Sequence, residues 1–173
     1  MSINDKLNKN CWRGDLSAVK ECVEQGADIH AWNDWALRLS AKNGHLEIVK
    51  YLIESGANIH ANYDEALRDV AEKGYLEIAK HLIESGADIH ARNDYALRYA
   101  VFRGHLEVAK YLAEHGANIH EDNDFALHWA AKRGYLQVVN VIRKAAGAEY
   151  KCNKCIIRST CLEICGDFRN GHS

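Results

Sequence analysis

The sequence predicts an all-α solenoid of about five stacked helix–turn–helix units. Two observations predict it. Residues recur in one register at a constant spacing of 30, and self-similarity at a fixed period is the signature of a repeat architecture. Within each period two short amphipathic stretches are each closed by glycine, as in a helix pair.

The register is carried by five ladders. Gly14, Gly44, Gly74, Gly104 and Gly134 form one, and Leu16, Leu46, Leu76, Leu106 and Leu136 another. Gly-Ala recurs at 26–27, 56–57, 86–87 and 116–117, Ile-His at 29–30, 59–60, 89–90 and 119–120, and Ala-Leu at 36–37, 66–67, 96–97 and 126–127.

In the unit at 33–61, Leu37, Ser40 and Ala41 lie at i, i+3 and i+4, one face of a short first helix. Asp34, Asp64, Asp94 and Asp124 precede these helices and are expected to accept from the free amides of the first turn. Gly44 ends the first helix, where a left-handed residue is wanted. The second helix runs from about Leu46 to Glu54, with Leu46, Val49 and Ile53 as its stripe and Ile48 and Leu52 widening it. Glu47 and Lys50 pair weakly on the solvent side. Gly56 stops the helix, and Ala57–Asn62 is expected to cross to the next unit as a short extended loop.

Fixing one such unit costs on the order of 30–60 kcal/mol of backbone entropy. A lone helix pair buries one flank only and cannot offset that. Stacked units bury both flanks, so the array is stable where a unit is not. The alanines at 36, 66, 96 and 126 permit close helix approach. Five pairs are predicted, at about 4–25, 34–55, 64–85, 94–115 and 124–145, within an array over 1–147. The first and last drift: Asn8, Lys9 and Asn10 are polar, and Gly147 arrives one residue late.

Bulk composition sets the class. Hydrophobic residues make up 47% of 173, too many for a disordered chain. A net charge of −2 counts against a dedicated nucleic-acid binder. Met1 leads into a polar stretch with no apolar leader, and no apolar run reaches the roughly 18 residues of a membrane span. An intracellular, cytoplasmic monomer is expected. No phosphate-cradling glycine loop or nucleophile elbow occurs, so no enzyme is expected.

Framework positions repeat, and the positions between them vary. Residues 32, 62, 92 and 122 are Trp, Asn, Arg and Asp; residues 35, 65, 95 and 125 are Trp, Glu, Tyr and Phe. Residues 39, 69, 99 and 129 are Leu, Asp, Tyr and Trp; residues 42, 72, 102 and 132 are Lys, Glu, Phe and Lys. Aromatic and arginine side chains dominate interface hot spots. The candidate partner-binding ridge is Trp32, Trp35, Tyr63, Arg92, Tyr95, Tyr99, Phe102, Arg103, Phe125 and Trp129. The competing reading is that these aromatics pack against the neighbouring unit.

His30, His60, His90 and His120 recur with the period and could form a metal row or a pH sensor. Packed helices lie about 8–10 Å apart, too far for neighbouring histidines to share an ion held at about 2 Å. His45 and His105 alternate with Tyr75 and Tyr135, which suggests packing. Cys11 and Cys22 read as small buried side chains.

The repeat lapses in a tail over 148–173. Cys152, Cys155, Cys161 and Cys165 are spaced C-x2-C-x5-C-x3-C. Four thiolates suit tetrahedral zinc or, second, an iron–sulfur cluster; disulfides and free thiols remain open. A bound metal would supply folding energy that so short a tail lacks. Residues 143–173 hold six Lys and Arg against three Asp and Glu, so weak nucleic-acid contact is permitted. The spacing is similar to a cysteine segment in the auxiliary-cluster domain of some radical enzymes, but the rest of that fold is absent.

The segments GHLEIVKYLIESGANIHA (44–61) and GHLEVAKYLAEHGANIHE (104–121) resemble the second helix and following loop of the ankyrin repeat family. The resemblance covers roughly 4–147. It departs in length, 30 residues in place of the family's usual 33, and in the family's Thr-Pro-Leu-His tetrad, here Trp-Ala-Leu-Arg (35–38) and its counterparts. The shortened unit implies a short loop in place of a β-hairpin. Such Ile-His units look like arrays of large DNA viruses and some intracellular microbes, which would place the chain in host cytoplasm. In the family the ladder histidine's position holds a side chain that hydrogen-bonds the adjoining loop. The resemblance implies a protein-interaction scaffold or adaptor that binds through loops and the concave face of the first helices. The alternative is a zinc- or nucleic-acid-binding module using the tail.

Overall fold

The computed structural model describes residues 1–118, 126, 129, 130 and 132–145, and for 141–145 the backbone alone. Among these are four complete helix pairs: α1 Ile3–Arg13 with α2 Leu16–Glu24, α3 Ala31–Lys42 with α4 Leu46–Glu54, α5 Ala61–Lys73 with α6 Leu76–Glu84, and α7 Ala91–Arg103 with α8 Leu106–Glu114. A fifth unit follows. Ala126, Trp129, Ala130 and Lys132 are helical, and α9 spans Leu136–Ala145. No strand occurs among the described residues, so the shortened unit carries a loop where a hairpin would stand.

Each helix packs on its partner within the unit and on the same helix of the next unit, α1 on α3, α3 on α5 and α5 on α7. The first helices carry most of this inter-unit packing. Their buried faces are small: Ala36, Leu37, Ser40 and Ala41 in α3, and Ala96, Leu97, Ala100 and Val101 in α7. Ser40 satisfies its buried hydroxyl by donating to the Ala36 carbonyl at 2.8 Å. On the second helices the buried centre is Ile48, Val49 and Leu52. Leu46 and Ile53, expected to lead that stripe, are only half-buried. Ile48 and Leu52 share one helical face at i and i+4 with Val49 beside them, and this face meets the first helices.

Gly74 closes α5 at φ +82°, and a Cβ there would collide with the imidazole of His105 in the next unit. Glycine is thus required twice, by the left-handed chain reversal and by close approach. Around the same point His105 Nε2 lies 2.9 Å from the Glu72 carbonyl, and His45 Nε2 lies 3.0 Å from that of Trp12. The packing expected of the 45/75/105/135 column is what the described rings do. The two histidines also serve carbonyls at the end of the preceding first helix.

The connectors are not extended. Ala61 N–H donates to the Asn58 carbonyl at 3.2 Å, and His60 N–H to Asn58 Oδ1 at 3.0 Å. The opening residues of α3, α5 and α7 are not right-handed: Trp32–Asp34, Asn62–Asp64 and Arg92–Asp94 form a left-handed turn, nine non-glycine residues with φ between 52° and 60°, and the regular first helix starts after it. Two of every three are Asn or Asp, whose short polar side chains tolerate this region best. The other residues bear a cost of roughly 1–2 kcal/mol each.

The aspartates do not cap their own helices. Asp34 Oδ1 accepts the N–H of Asn58 at 2.7 Å, 24 residues on, and lies 3.0 Å from His30 Nδ1. Asp64 does the same with Asp88 N and His60, and Asp94 with Asn118 N and His90. In the left-handed turn the carboxylate points along the array, away from its own helix start. In the first unit Asn4 Oδ1 replaces it, accepting Asp28 N–H at 2.9 Å. Asp28, Asn58 and Asp88 side chains each accept the N–H of the following histidine. The result is an unbroken polar spine from Asn4 to Asn118. The buried carboxylates, 3–4% exposed, are satisfied on it, as burial of charge demands. Asp124 and His120 lie outside the described residues.

The first unit is capped. Ser2 and Asp5 form a reciprocal capping box on α1, and Asp15 caps α2. Cys11 and Cys22 are both buried, and burial pushes the Cys11 thiol up to about 11.

Candidate functional site

The first helices and the turns before them form one face, and the arginine of the recurring Ala-Leu-Arg triplet builds it. Arg68 donates from Nε to the Tyr63 carbonyl at 3.1 Å and from Nη2 to that of Asn62 at 3.0 Å. Arg98 does the same to Asn93 and Arg92, at 3.0 and 3.3 Å. Each arginine thus ties the left-handed turn to its own helix. Arg38 reaches Asn33 only at 3.4 Å, because its guanidinium also pairs with Glu65 of the next unit.

Charges alternate across neighbouring first helices. Arg38 pairs with Glu65, Lys42 with Asp69 at 3.5 Å, and Glu72 with Arg103. Burial works to raise Glu65, but the hydrogen bond from Asn62 and the nearby Arg38 guanidinium prevail and hold it below the ordinary range. Asp69 is raised, because burial outweighs its lysine and Glu65 adds repulsion. The middle of the face is therefore internally neutralised.

Further along, aromatics take over. Tyr95 stacks on Tyr99 at 3.9 Å between ring centroids, Tyr99 lies 6.0 Å from Phe102, and Phe102 meets Trp129 edge-on at 4.9 Å. All four are half-buried. Burial and the hydrogen bond with Tyr99 push the Tyr95 phenol up to about 12. Cations lie over these rings: Arg68 over Tyr95 at 5.2 Å, Arg103 over Phe102 at 5.6 Å, and Lys132 over Trp129 at 4.9 Å. Arg133 stands 5.8 Å from Phe102 and 5.5 Å from Trp129.

The sequence-predicted ridge divides in two. Tyr95, Tyr99, Phe102, Arg103 and Trp129 form a continuous strip on the first-helix face. Trp32, Tyr63 and Arg92 stand on the turns, with Trp32 57% and Tyr63 65% exposed, and Arg92 lies 4.6 Å from the Tyr63 ring. Trp35 lies under Arg38 at 4.9 Å and shares an open recess with Trp32, Asp5 and Asn8. Packing against a neighbour describes Phe102 and Trp129 in part, since each covers the other across a unit boundary; it does not describe Trp32. Phe125 and the cysteines Cys152, Cys155, Cys161 and Cys165 lie outside the described residues.

Sequence reasoning missed the ion pairs and the roles of Arg68, Lys132 and Arg133. A signal existed: Arg38–Glu65 and Lys42–Asp69 are both 27 residues apart, the offset that faces adjacent first helices at a period of 30. No group of three or more His, Cys, Asp or Glu among the described residues is placed to hold a metal ion. The described ladder histidines, His30, His60 and His90, are each spent on an aspartate. No described helix is long and apolar enough to cross a membrane.

A repeated frame that holds variable side chains on one face defines a binding array built from helical repeats. A family model described as ankyrin repeats in three copies matches residues 7–93 and 67–154. The chain belongs to the ankyrin repeat family. Ankyrin repeats are generally protein–protein interaction modules, and the family is typically a non-enzymatic binding scaffold.

Proposed function

We propose that this chain is a protein-binding adaptor that grips its partner on the first-helix face and the exposed turns. The contiguous strip Tyr95–Tyr99–Phe102–Trp129 carries this reading. Half-buried aromatics already fixed against one another lose little freedom on binding, which favours them as anchors. The spine and the glycine ladder supply a rigid frame, while Trp32 and Tyr63 offer apolar surface that their own units leave uncovered. Among the described residues of the face, no nucleophile has a base beside it.

Affinity capture with the wild-type chain and a Trp32→Ala/Trp35→Ala/Phe102→Ala variant of matched stability tests the proposal. The variant is expected to lose the principal captured proteins; an unchanged set would refute the surface. As a separate element, the C-x2-C-x5-C-x3-C spacing of the tail supports a bound zinc ion, which would leave the array as the partner-binding part.

A further inference from the structure

Resting on the protein-binding reading, we propose that the partner presents an acidic segment to the fourth and fifth units. Its carboxylates meet Lys132 and Arg133, and an apolar or aromatic side chain between them lies on Phe102 and Trp129.

Charge is distributed unevenly along the face. Three cations of the face are paired with an acid of a neighbouring unit: Arg38 with Glu65, Lys42 with Asp69, and Arg103 with Glu72. Arg68 instead lies over Tyr95 and donates to the carbonyls of its own turn. Lys132 and Arg133 are exposed, and among the described residues neither is paired with a carboxylate. Both are instead held over aromatic rings, Lys132 at 4.9 Å from Trp129 and Arg133 at 5.5 and 5.8 Å from Trp129 and Phe102.

A cation resting on a ring face gains modestly from the quadrupole and leaves its other side to water or to an incoming anion. Its stem is already laid down, so less side-chain entropy is lost when a carboxylate arrives. The same two cations border the edge-on pair of Phe102 and Trp129, so charge and apolar contact are offered within one patch. Charge complementarity selects an acidic segment over a basic one.

It also selects a peptide over a nucleic acid. A phosphate backbone is held by a run of cations that each displace condensed counterions. Among the described residues the exposed pair Lys132 and Arg133 is adjacent, Arg68 and Arg92 lie apart from it over Tyr95 and Tyr63, and toward the third unit the face carries Glu72, Asp69 and Glu65. A polyanion that continued along the array would find those positions already closed as ion pairs, with no run of free cations to hold it, whereas a short acidic segment ends before them.

The test uses the full chain and three fluorescently labelled probes: a short peptide of Asp and Glu flanking Phe, the same peptide with Lys at every acidic position, and an oligothymidylate. Anisotropy titration is expected to show binding of the acidic peptide, weakened by added salt. The Lys132→Glu/Arg133→Glu variant is expected to lose about tenfold or more in affinity for it. Lys80→Glu/Lys110→Glu, two charge reversals on the second helices, serves as the matched control and is expected to leave that affinity unchanged. If the double reversal lowers the melting temperature, Lys132→Gln/Arg133→Gln replaces it with the same expected direction. Equal or tighter binding of the lysine peptide or the oligothymidylate overturns the inference. So does an unchanged affinity in the variants, or no binding of the acidic peptide. Should the acidic peptide fail while the aromatic variant still loses its captured proteins, only the acidic chemistry falls. Should that variant lose none, the protein-binding surface falls with it.

Discussion

Asp64 Oδ1 accepts the backbone N–H of Asp88 at 2.8 Å, joining the turn that opens the third unit to the loop that leaves it. The same oxygen takes His60 Nδ1 at 3.0 Å. Removal of the carboxylate leaves a backbone donor without its partner. Asp64→Ala is therefore expected to cost about 2–3 kcal/mol, with Asp64→Asn milder because an acceptor oxygen remains. Urea denaturation of the two variants checks the order; equal losses would show that a neutral acceptor oxygen does not replace the carboxylate.

Gly74→Ala is expected to be worse than Gly86→Ala. Both glycines have positive φ, at +82° and +102°, so each alanine meets backbone strain of roughly 1–2 kcal/mol. Only at Gly74 does the added Cβ also strike a ring of the next unit, that of His105. The Gly74→Ala/His105→Ala pair should lose less than the two single losses added together. Thermal melts of the four variants settle the comparison, and strictly additive losses would remove the steric account.

Two carboxylates on one helix should respond oppositely to neutralisation. Glu65 is held below its ordinary range, so its ionised form stabilises the fold; that contribution is present above its unfolded pKa and fades as pH falls through the folded one. Asp69 is raised, so its ionisation penalises the fold, and the penalty grows as pH rises from the unfolded value to the folded one. At neutral pH Glu65→Gln should lower stability and Asp69→Asn should raise it or spare it. Near pH 3 the two should converge. A Glu65→Gln loss that persists undiminished there would contradict the assignment.

The repeat, its helices and the buried ladders were legible because the hydrophobic period and the glycines are local signals repeated several times. The turn before each first helix was not. Asp34 in Trp32-Asn33-Asp34 suggests an N-cap, since an aspartate before a helix most often is one, and nothing local reveals three successive left-handed residues. The Asn and Asp content was the available hint. The face was legible as a set of variable positions. Its division, with Trp32 and Tyr63 on the turns and Tyr95 to Trp129 on the helices, depends on the same turn. The ion pairs needed offsets of 27 residues for Arg38–Glu65 and Lys42–Asp69 and of 31 for Glu72–Arg103, which become meaningful only once first helices are known to lie side by side.

Thiol and metal counts separate the array from its tail. Cys11 is buried with its thiol raised to about 11, and Cys22 is also buried, so both should resist alkylation in the native chain. A zinc-loaded tail should protect Cys152, Cys155, Cys161 and Cys165 as well, and a chelator should expose those four first. Mass spectrometry after brief alkylation, with elemental analysis of protein purified without air, reads both. Metal-free protein whose four tail thiols react at once would dismiss the zinc site.

The face itself is tested most directly by hydroxyl-radical footprinting of the chain alone and bound to a captured partner. Tyr99, Phe102 and Trp129 should be shielded in the complex, while Tyr51 and Tyr111 on the second helices react as in the free chain. Shielding of Tyr51 and Tyr111 with Phe102 and Trp129 unchanged would put the partner on the opposite side and contradict the account.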